Sequence, residues 1–261
     1  MRLVLLCSTE LTGFQQRVLA TLFDEERLEI RACAIDSRPQ AGTRAKLMRN
    51  LRQQRGGFVI VMAANTALAK LRGSGGEAVA TESSMVERGV RTIAVRDPND
   101  EKAVAAISSL APDALVLIAG FGIVKEPLLS LAPHGVLSFH HGDMRRYRGM
   151  PPAFWELFNE EAEMGVTVQR LSPGVDDGAP IVEKSFAIGP RERLESLERR
   201  VFDGSVEMMR DALLTLAGGE APARLDRYGD VYTLPNLRQW LRFQGKMARR
   251  RWWGLRATAQ R

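Results

Sequence analysis

Three histidines, His134, His140 and His141, fall within eight residues and are the chain's full complement. His140 closes an apolar run, Gly135-Val136-Leu137-Ser138-Phe139-His140, whose residue types suit a strand. Alternation along a strand puts Ser138 and His140 on one face and turns Phe139 to the other. Downstream, Pro173-Gly174-Val175-Asp176-Asp177-Gly178 reads as a turn between two strands that presents a carboxylate. A strand-end histidine beside such a carboxylate makes an acid–base pair, because the carboxylate orients the imidazole and lifts its pKa toward working pH. Plainer readings stay open. A strand-end histidine also serves as a hydrogen-bonded structural residue, and Gly-x-Asp-Asp-Gly is a common turn. His140, His141, Asp143 and Asp176 are ligand types for a metal, but adjacent strand histidines point in opposite directions and cannot easily meet one ion.

The surrounding pattern supplies the elements that must position these groups. Apolar strand-like segments at 3–7, 28–35, 90–95, 114–119 and 136–140 alternate with helical spacing at 14–23, 101–110 and around 127–131. That alternation predicts a Rossmann-like α/β fold with a doubly wound, mostly parallel sheet, whose ligand crevice lies at the carboxyl ends of the strands. Ser8-Thr9-Glu10 reads as a helix start. Residues 40–71 give a basic helix and then a segment, 58–62, that suits a strand or a second helix, before a loop at 73–76. A helix opening at Pro151-Pro152 follows His140, then strands at 166–171 and 180–187 and one helix over 194–216. Phe154 and Trp155 read as core. Gly218-Gly219 and Pro222 mark a linker, dividing a catalytic domain (1–217) from a short helical basic extension (218–261). The turn after the first strand has no G-x-G-x-x-G, and the chain has no Walker-type phosphate loop, no G-x-S-x-G elbow and no paired C-x-x-C. Dehydrogenase, P-loop, serine hydrolase and zinc-ribbon chemistries therefore fall.

At 261 residues, 45% hydrophobic and 26% charged, the chain has the composition of a globular protein. The net charge of +6 is uneven: residues 224–261 carry +8, so residues 1–223 carry −2. A second basic stretch spans 37–55. The C-terminal helix expected from Leu237, Trp240, Leu241, Phe243 and Met247 is amphipathic, so it either docks on the body or offers arginines to RNA or an anionic membrane. No apolar run is long enough for a membrane span, the N-terminus fits a buried strand better than a signal peptide, and Cys7 and Cys33 sit in apolar strands. These features together suit a cytoplasmic protein with reduced thiols.

Residues 138–149 resemble the loop of the folate-dependent formyltransferases, where Asn-x-His is followed by an LP-x-YRG segment. His140 matches the family histidine, and Tyr147-Arg148-Gly149 stand at the matching distance. Gly165-Val166-Thr167-Val168 through Gly174-Val175-Asp176-Asp177-Gly178 is similar to the family's GVT…G-x-D-x-G segment without a gap, placing Asp176 at its aspartate. Ala111-Pro112-Asp113 and Gly120-Phe121-Gly122-Ile123-Val124 look like the folate-side strand and loop. The resemblance covers residues 90–220 well and the first 40 weakly. It implies transfer of a formyl group from N10-formyltetrahydrofolate to a primary amine of a small, anionic acceptor such as an amino-sugar nucleotide, with no metal. His140 would stabilise or protonate the oxyanion and Asp176 would orient it. Phe121, Gly122, Ile123, Val124 and Asp177 would hold the donor. Ser8, Thr9, His141, Arg146, Tyr147 and Arg148 would meet the acceptor, although Ser8 and Thr9 also suit a helix cap and the arginines a solvated loop. Ser138 stands where the family carries asparagine, which removes an oxyanion donor of a kind worth about 2.7–4 kcal/mol. A formyltransferase with a rearranged site, a hydrolase of the same donor, and a catalytically weak folate- or RNA-binding protein are the three outcomes. Retention of both His140 and Asp176 favours the first. A nucleic-acid partner is less favoured, since the tail is shorter than the separate barrel domain of tRNA-specific relatives. A homodimer is compatible with the resemblance.

Overall fold

The computed structural model describes residues 1–38, 78–118 and 120–258, with side chains as far as residue 250. The basic helix, the segment at 58–62 and the loop at 73–76 expected from sequence lie outside the described residues, as does most of the basic stretch 37–55. Seven strands form the main sheet: β1 (Arg2–Cys7), β3 (Glu29–Asp36), β5 (Thr92–Val95), β6 (Ala114–Leu117), β7 (Val136–His140), β9 (Glu163–Arg170) and β10 (Ala179–Ala187). Their order is β10-β9-β7-β6-β1-β3-β5. The pairs from β7 to β5 are parallel, whereas β9 and β10 run antiparallel. Two short pairs complete the strands among the described residues. β2 (Glu10–Leu11) pairs with β4 (Val79–Ala80), and β8 (Tyr147–Gly149) with β11 (Asp230–Tyr232).

Burial explains the central strands. Leu3 to Cys7 are inaccessible to solvent on both faces, as expected of a parallel strand covered on each side. Leu3, Leu5 and Cys7 join one apolar cluster with Leu137 and Val168, while Val4 and Leu6 join another with Leu115 and Val136. Both cysteines are buried free thiols. From β1 the chain builds β3 and β5 on one side, then returns to lay β6 on the other. The strand order therefore reverses between β1 and β6, and ligands of open α/β sheets bind outside the carboxyl ends at such a point.

Four expectations need correction. α1 (Gly13–Phe23) does not start at Ser8-Thr9-Glu10: Glu10 enters β2, and Thr12 caps the helix in a reciprocal box with Gln15. The helix around 127–131 is a single 3₁₀ turn, Leu128–Ser130. The helix after Pro151-Pro152 begins only at Phe154 (α4, Phe154–Phe158), because Ala153 has φ 62°, outside the helical basin. The helix over 194–216 is two, α5 (Leu194–Ser205) and α6 (Met208–Ala217), and near the break Lys184 Nζ takes the Gly204 carbonyl at 2.7 Å. In chain order α2 (Thr81–Glu87) and α3 (Glu101–Ser108) precede these, and α7 (Leu237–Thr258) ends the described chain.

The C-terminal segment folds back on the body. β11 pairs residue by residue with β8, and Gly149, at φ +86°, permits this: a Cβ there would lie 2.1 Å from the Tyr232 carbonyl oxygen. Helix α7 docks through buried Phe243, whose ring is 4.5 Å from that of Phe154. Phe154 and Trp155 are core residues, as read from sequence. No helix among the described residues is long and apolar enough to cross a membrane.

Candidate active site

β7 lies between parallel β6 and antiparallel β9, and its last residue is His140. Register places Ser138 opposite Gln169 and His140 opposite Thr167. All four therefore share one face, and the polar side chains of Thr167 and Gln169 are fully buried there. The His140 ring is held at both nitrogens. Nε2 lies 2.7 Å from the Tyr147 carbonyl oxygen and Nδ1 3.4 Å from Asp176 Oδ2. Gly142 leaves room for the first contact, since a Cβ there would sit 2.6 Å from Nε2.

A carbonyl can only accept, so Nε2 carries a proton, and the carboxylate at Nδ1 favours a second. Burial pushes the His140 pKa down, but the hydrogen bond and charge of Asp176 outweigh it, and the value ends above that of an ordinary histidine. Asp176 shows the converse balance: burial would raise its pKa, yet His140, the Gly149 N–H and the Gln169 amide hold it below the usual carboxylate range. Gly149 N donates to Oδ2 at 2.8 Å, and Gln169 Nε2 to Oδ1 at 3.2 Å. The Asp176 backbone sits at φ 45°. Arg148 clamps that turn by donating to the carbonyls of Val175 and Asp176 and ion-pairing with Asp177 at 3.5 Å.

The structure thus joins His140 and Asp176, the two residues singled out by chemistry and spacing, across 36 positions of sequence. It scatters others. His134 precedes β7 at the far end of the strand, where its backbone N–H bonds Asp113. Arg145 pairs with Glu183 and Asp143, and Arg146 with Glu161, which also accepts from the Tyr147 hydroxyl. Ser8 Oγ bonds the Glu10 carbonyl, and the Thr9 carbonyl accepts from Thr81 N. Asp177 accepts from Ser172. Among the described residues no three His, Cys, Asp or Glu side chains converge on one point.

A pocket of about 580 Å³ opens at the carboxyl ends of β6 and β7, beside the start of α1. Ser138, His141, Phe121 and Gly122 line it together with Thr12 and Gln15. Ile123 is 75% exposed, Val124 is buried, and neither lines that space. Sequence reasoning missed Gln169 and Glu156, and it named Gly149 only within the Tyr147-Arg148-Gly149 match, without its bond to Asp176. Gln169 had a visible signal, a large polar residue inside a strand otherwise fit for burial on both faces. Glu156 is buried on α4 and feels the His140 charge. Burial raises its carboxyl to about 7, against the opposing pull of His140.

A family model described as "Formyl transferase" matches residues 38–213. A methionyl-tRNA formyltransferase from Anaeromyxobacter dehalogenans is 36% identical over 148 residues, which is 56% of this chain and 47% of the relative. The chain spans about half the length of the curated relatives it matches. Among solved structures, glycinamide ribonucleotide transformylase 1 from Symbiobacterium toebii superimposes with a TM-score of 0.58 at 18% identity, covering 88% of this chain and 94% of that one. A sugar N-formyltransferase from a Shewanella species gives 0.58 at 15% identity, covering 94% and 88%. These two likenesses concern the fold.

Proposed function

The chain belongs to the formyl transferase family, and from that premise we propose that it transfers a formyl group from N10-formyltetrahydrofolate to a primary amine, with His140 and Asp176 as the catalytic pair. The observation that carries this reading is the doubly held imidazole of His140 beside a buried carboxylate at a strand's carboxyl end. Transfer forms a bond from the amine nitrogen to the formyl carbon, breaks the bond from N10 to that carbon, and moves one proton from the amine to N10. The formyl oxygen gains negative charge on the way, so the site needs a cationic donor there and an acceptor for the amine proton.

The residues present fit both needs. Nε2 of His140 is saturated by the Tyr147 carbonyl, which leaves Nδ1–H as the donor that turns to the oxygen. Its 3.4 Å contact with Asp176 is loose enough to be exchanged for a shorter one. Asp176 is the proton acceptor, and Gln169 and Gly149 keep its two oxygens in place. Ser138, on the His140 face of β7, lines the adjoining pocket, with its Oγ bonded only weakly, at 3.3 Å, to the Phe139 carbonyl. Its hydroxyl is the nearest counterpart to the asparagine amide of the family. On this reading Phe121 to Val124 and Asp177 face the donor, while His141 and the turn after β1 face the acceptor. No metal enters the scheme, and a cytoplasmic location suits the donor. Arg145, Arg146 and Arg148 are all ion-paired, which weakens the expectation that they grip an anionic acceptor.

The test is direct. The full chain is incubated with N10-formyltetrahydrofolate, with and without amines, and tetrahydrofolate formation is followed. Amine-dependent release that is lost in His140→Ala supports transfer. Equal release without amine selects a hydrolase, and no release under any condition refutes both.

A further inference from the structure

The pocket beside the catalytic pair has a second chemistry that formyl transfer alone does not require. Phe14 of α1, Phe139 of β7, His141 and Phe202 of α5 converge there. Phe14 and Phe202 lie 4.9 Å apart between ring centroids, and His141 and Phe202 4.2 Å apart. The His141 ring is within 18° of parallel to that of Phe139, at 5.5 Å. These rings leave a space of about 580 Å³ that none of them fills, and no charged side chain lines it among the described residues. Thr12, Gln15 and Ser138 supply polar atoms at its edge.

One atom in that wall is unmatched. His141 Nε2 is shielded from solvent and has no hydrogen-bond partner among the described residues. A buried polar atom without a partner is costly to keep. Burial, with the His140 charge next door, lowers the His141 pKa to about 3, so the ring is neutral at working pH and neither repels an ammonium group nor attracts an anion. An apolar wall of parallel and edge-on rings holding a single orphaned nitrogen is the recognition chemistry of an aromatic ring that carries a hydroxyl or N–H group.

We infer that the acceptor amine carries an aromatic ring with a hydrogen-bonding substituent, seated among Phe14, Phe139 and Phe202 and bonded to His141 Nε2 once the imidazole turns that nitrogen toward the cavity. The inference rests on the formyl-transfer reading, and it replaces an anionic sugar with an uncharged planar group as the part of the acceptor held in this space. Ser138 lines both the pocket and the His140 face, so an amine carried on a short alkyl chain from the ring is directed past Ser138 toward that face.

The experiment has a binding arm and a turnover arm. In the first, the full chain is titrated by calorimetry with 4-ethylphenol, which has the ring and hydroxyl but no amine, and with ethylbenzene as control. The phenol binds the wild type, Phe202→Ala and the milder Phe202→Leu weaken it about tenfold or more, and His141→Phe removes the preference over ethylbenzene. Thermal melts confirm that the variants fold. In the second arm, 4-hydroxyphenethylamine, n-butylamine and 2-aminoethyl phosphate compete as acceptors, and the phenolic amine gives the highest kcat/KM. Absence of phenol binding, binding indifferent to both Phe202 variants, or preference for the phosphorylated amine overturns the inference while leaving formyl transfer standing. Phenol binding that depends on Phe202, with no transfer to any amine, sinks the transfer reading and leaves the ring site standing.

Discussion

His140 and His141 are neighbours in sequence and near-opposites in chemistry. Strand alternation, carried one residue past the end of β7, sends one ring to each face of the sheet. On one face Asp176, the Tyr147 carbonyl, Gln169 and the Gly149 N–H wire a network around His140. On the other face His141 packs against the rings of Phe14, Phe139 and Phe202. The same imidazole is driven toward the charged form in the first setting and held neutral, with a pKa of about 3, in the second. The lesson is that residue type does not set the role of a histidine; the partners on its side of the sheet do.

The comparison breaks most severely at Asp176. Asp176→Asn removes the charge that favours the His140 imidazolium and also the proton acceptor, and kcat/KM should fall by about 10²–10⁴-fold. In the same variant the His140 resonances should titrate at lower pH, toward the behaviour of His141, as imidazole NMR can follow. Stability should respond as well, because leaving one member of a buried pair without its partner costs about 3–5 kcal/mol. The pair's contribution has a defined window. His140, with a raised pKa, contributes fully below about pH 6.5 and loses that contribution as pH rises through its folded value. Asp176, with a lowered pKa, contributes above about pH 3.9 and loses it as pH falls through its folded value. Denaturant unfolding of wild type and Asp176→Asn should therefore differ most between about pH 4 and 6.5.

Gln169→Leu is a milder break. It strips one hydrogen bond from Asp176 and orphans the Gly178 N–H, which Gln169 Oε1 accepts at 3.1 Å. Each lost partner costs about 1–3 kcal/mol, and urea midpoints should fall with a smaller loss of turnover than in Asp176→Asn. The gentlest change sharpens the contrast instead. His141→Phe replaces a buried atom lacking a partner with matching apolar surface and should leave stability at neutral pH within about 1 kcal/mol, or raise it. Its sign with pH is opposite to that of His140. Unfolded His141 binds a proton below about pH 6.5 while the folded ring resists until about pH 3, so the wild type loses stability across that range and the variant does not. Thermal melts at pH 4.5 and 7.5 would show the gap widening at the lower value.

How much of this was legible in sequence depends on how local its causes are. The bounds of β7 were visible because an apolar run and a strand period coincide in five residues. The pairing of His140 with Asp176 was visible because a strand end and an acidic turn between strands both belong at the sheet's carboxyl edge. The helix start at Gly13 is ambiguous in sequence because Ser8-Thr9 and Thr12 carry equivalent capping chemistry, and the pairing of β2 with β4 decides between them. The break between α5 and α6 falls at Val206-Glu207, inside a run whose apolar spacing continues from Leu197 and Val201 to Met209 and Leu213, so periodicity alone reads one helix. Nor does any local pattern announce β8 and β11, whose three-residue partners stand some 80 residues apart and rely on one glycine to pass closely. The aromatic wall is the extreme case, since Phe14 and Phe202 each look like ordinary helical core until the fold sets them beside His141.

The central claim is that the wired face of β7 performs amine-dependent formyl transfer, and a labelled donor tests it most directly. With N10-formyltetrahydrofolate carrying carbon-13 in the formyl group, NMR should show the label appearing as a formamide on the added amine. It should appear with wild-type protein and about 10²–10⁴-fold more slowly with Asp176→Asn. Label that reaches the amine equally fast in both proteins, or that never reaches it with wild type, would contradict the account.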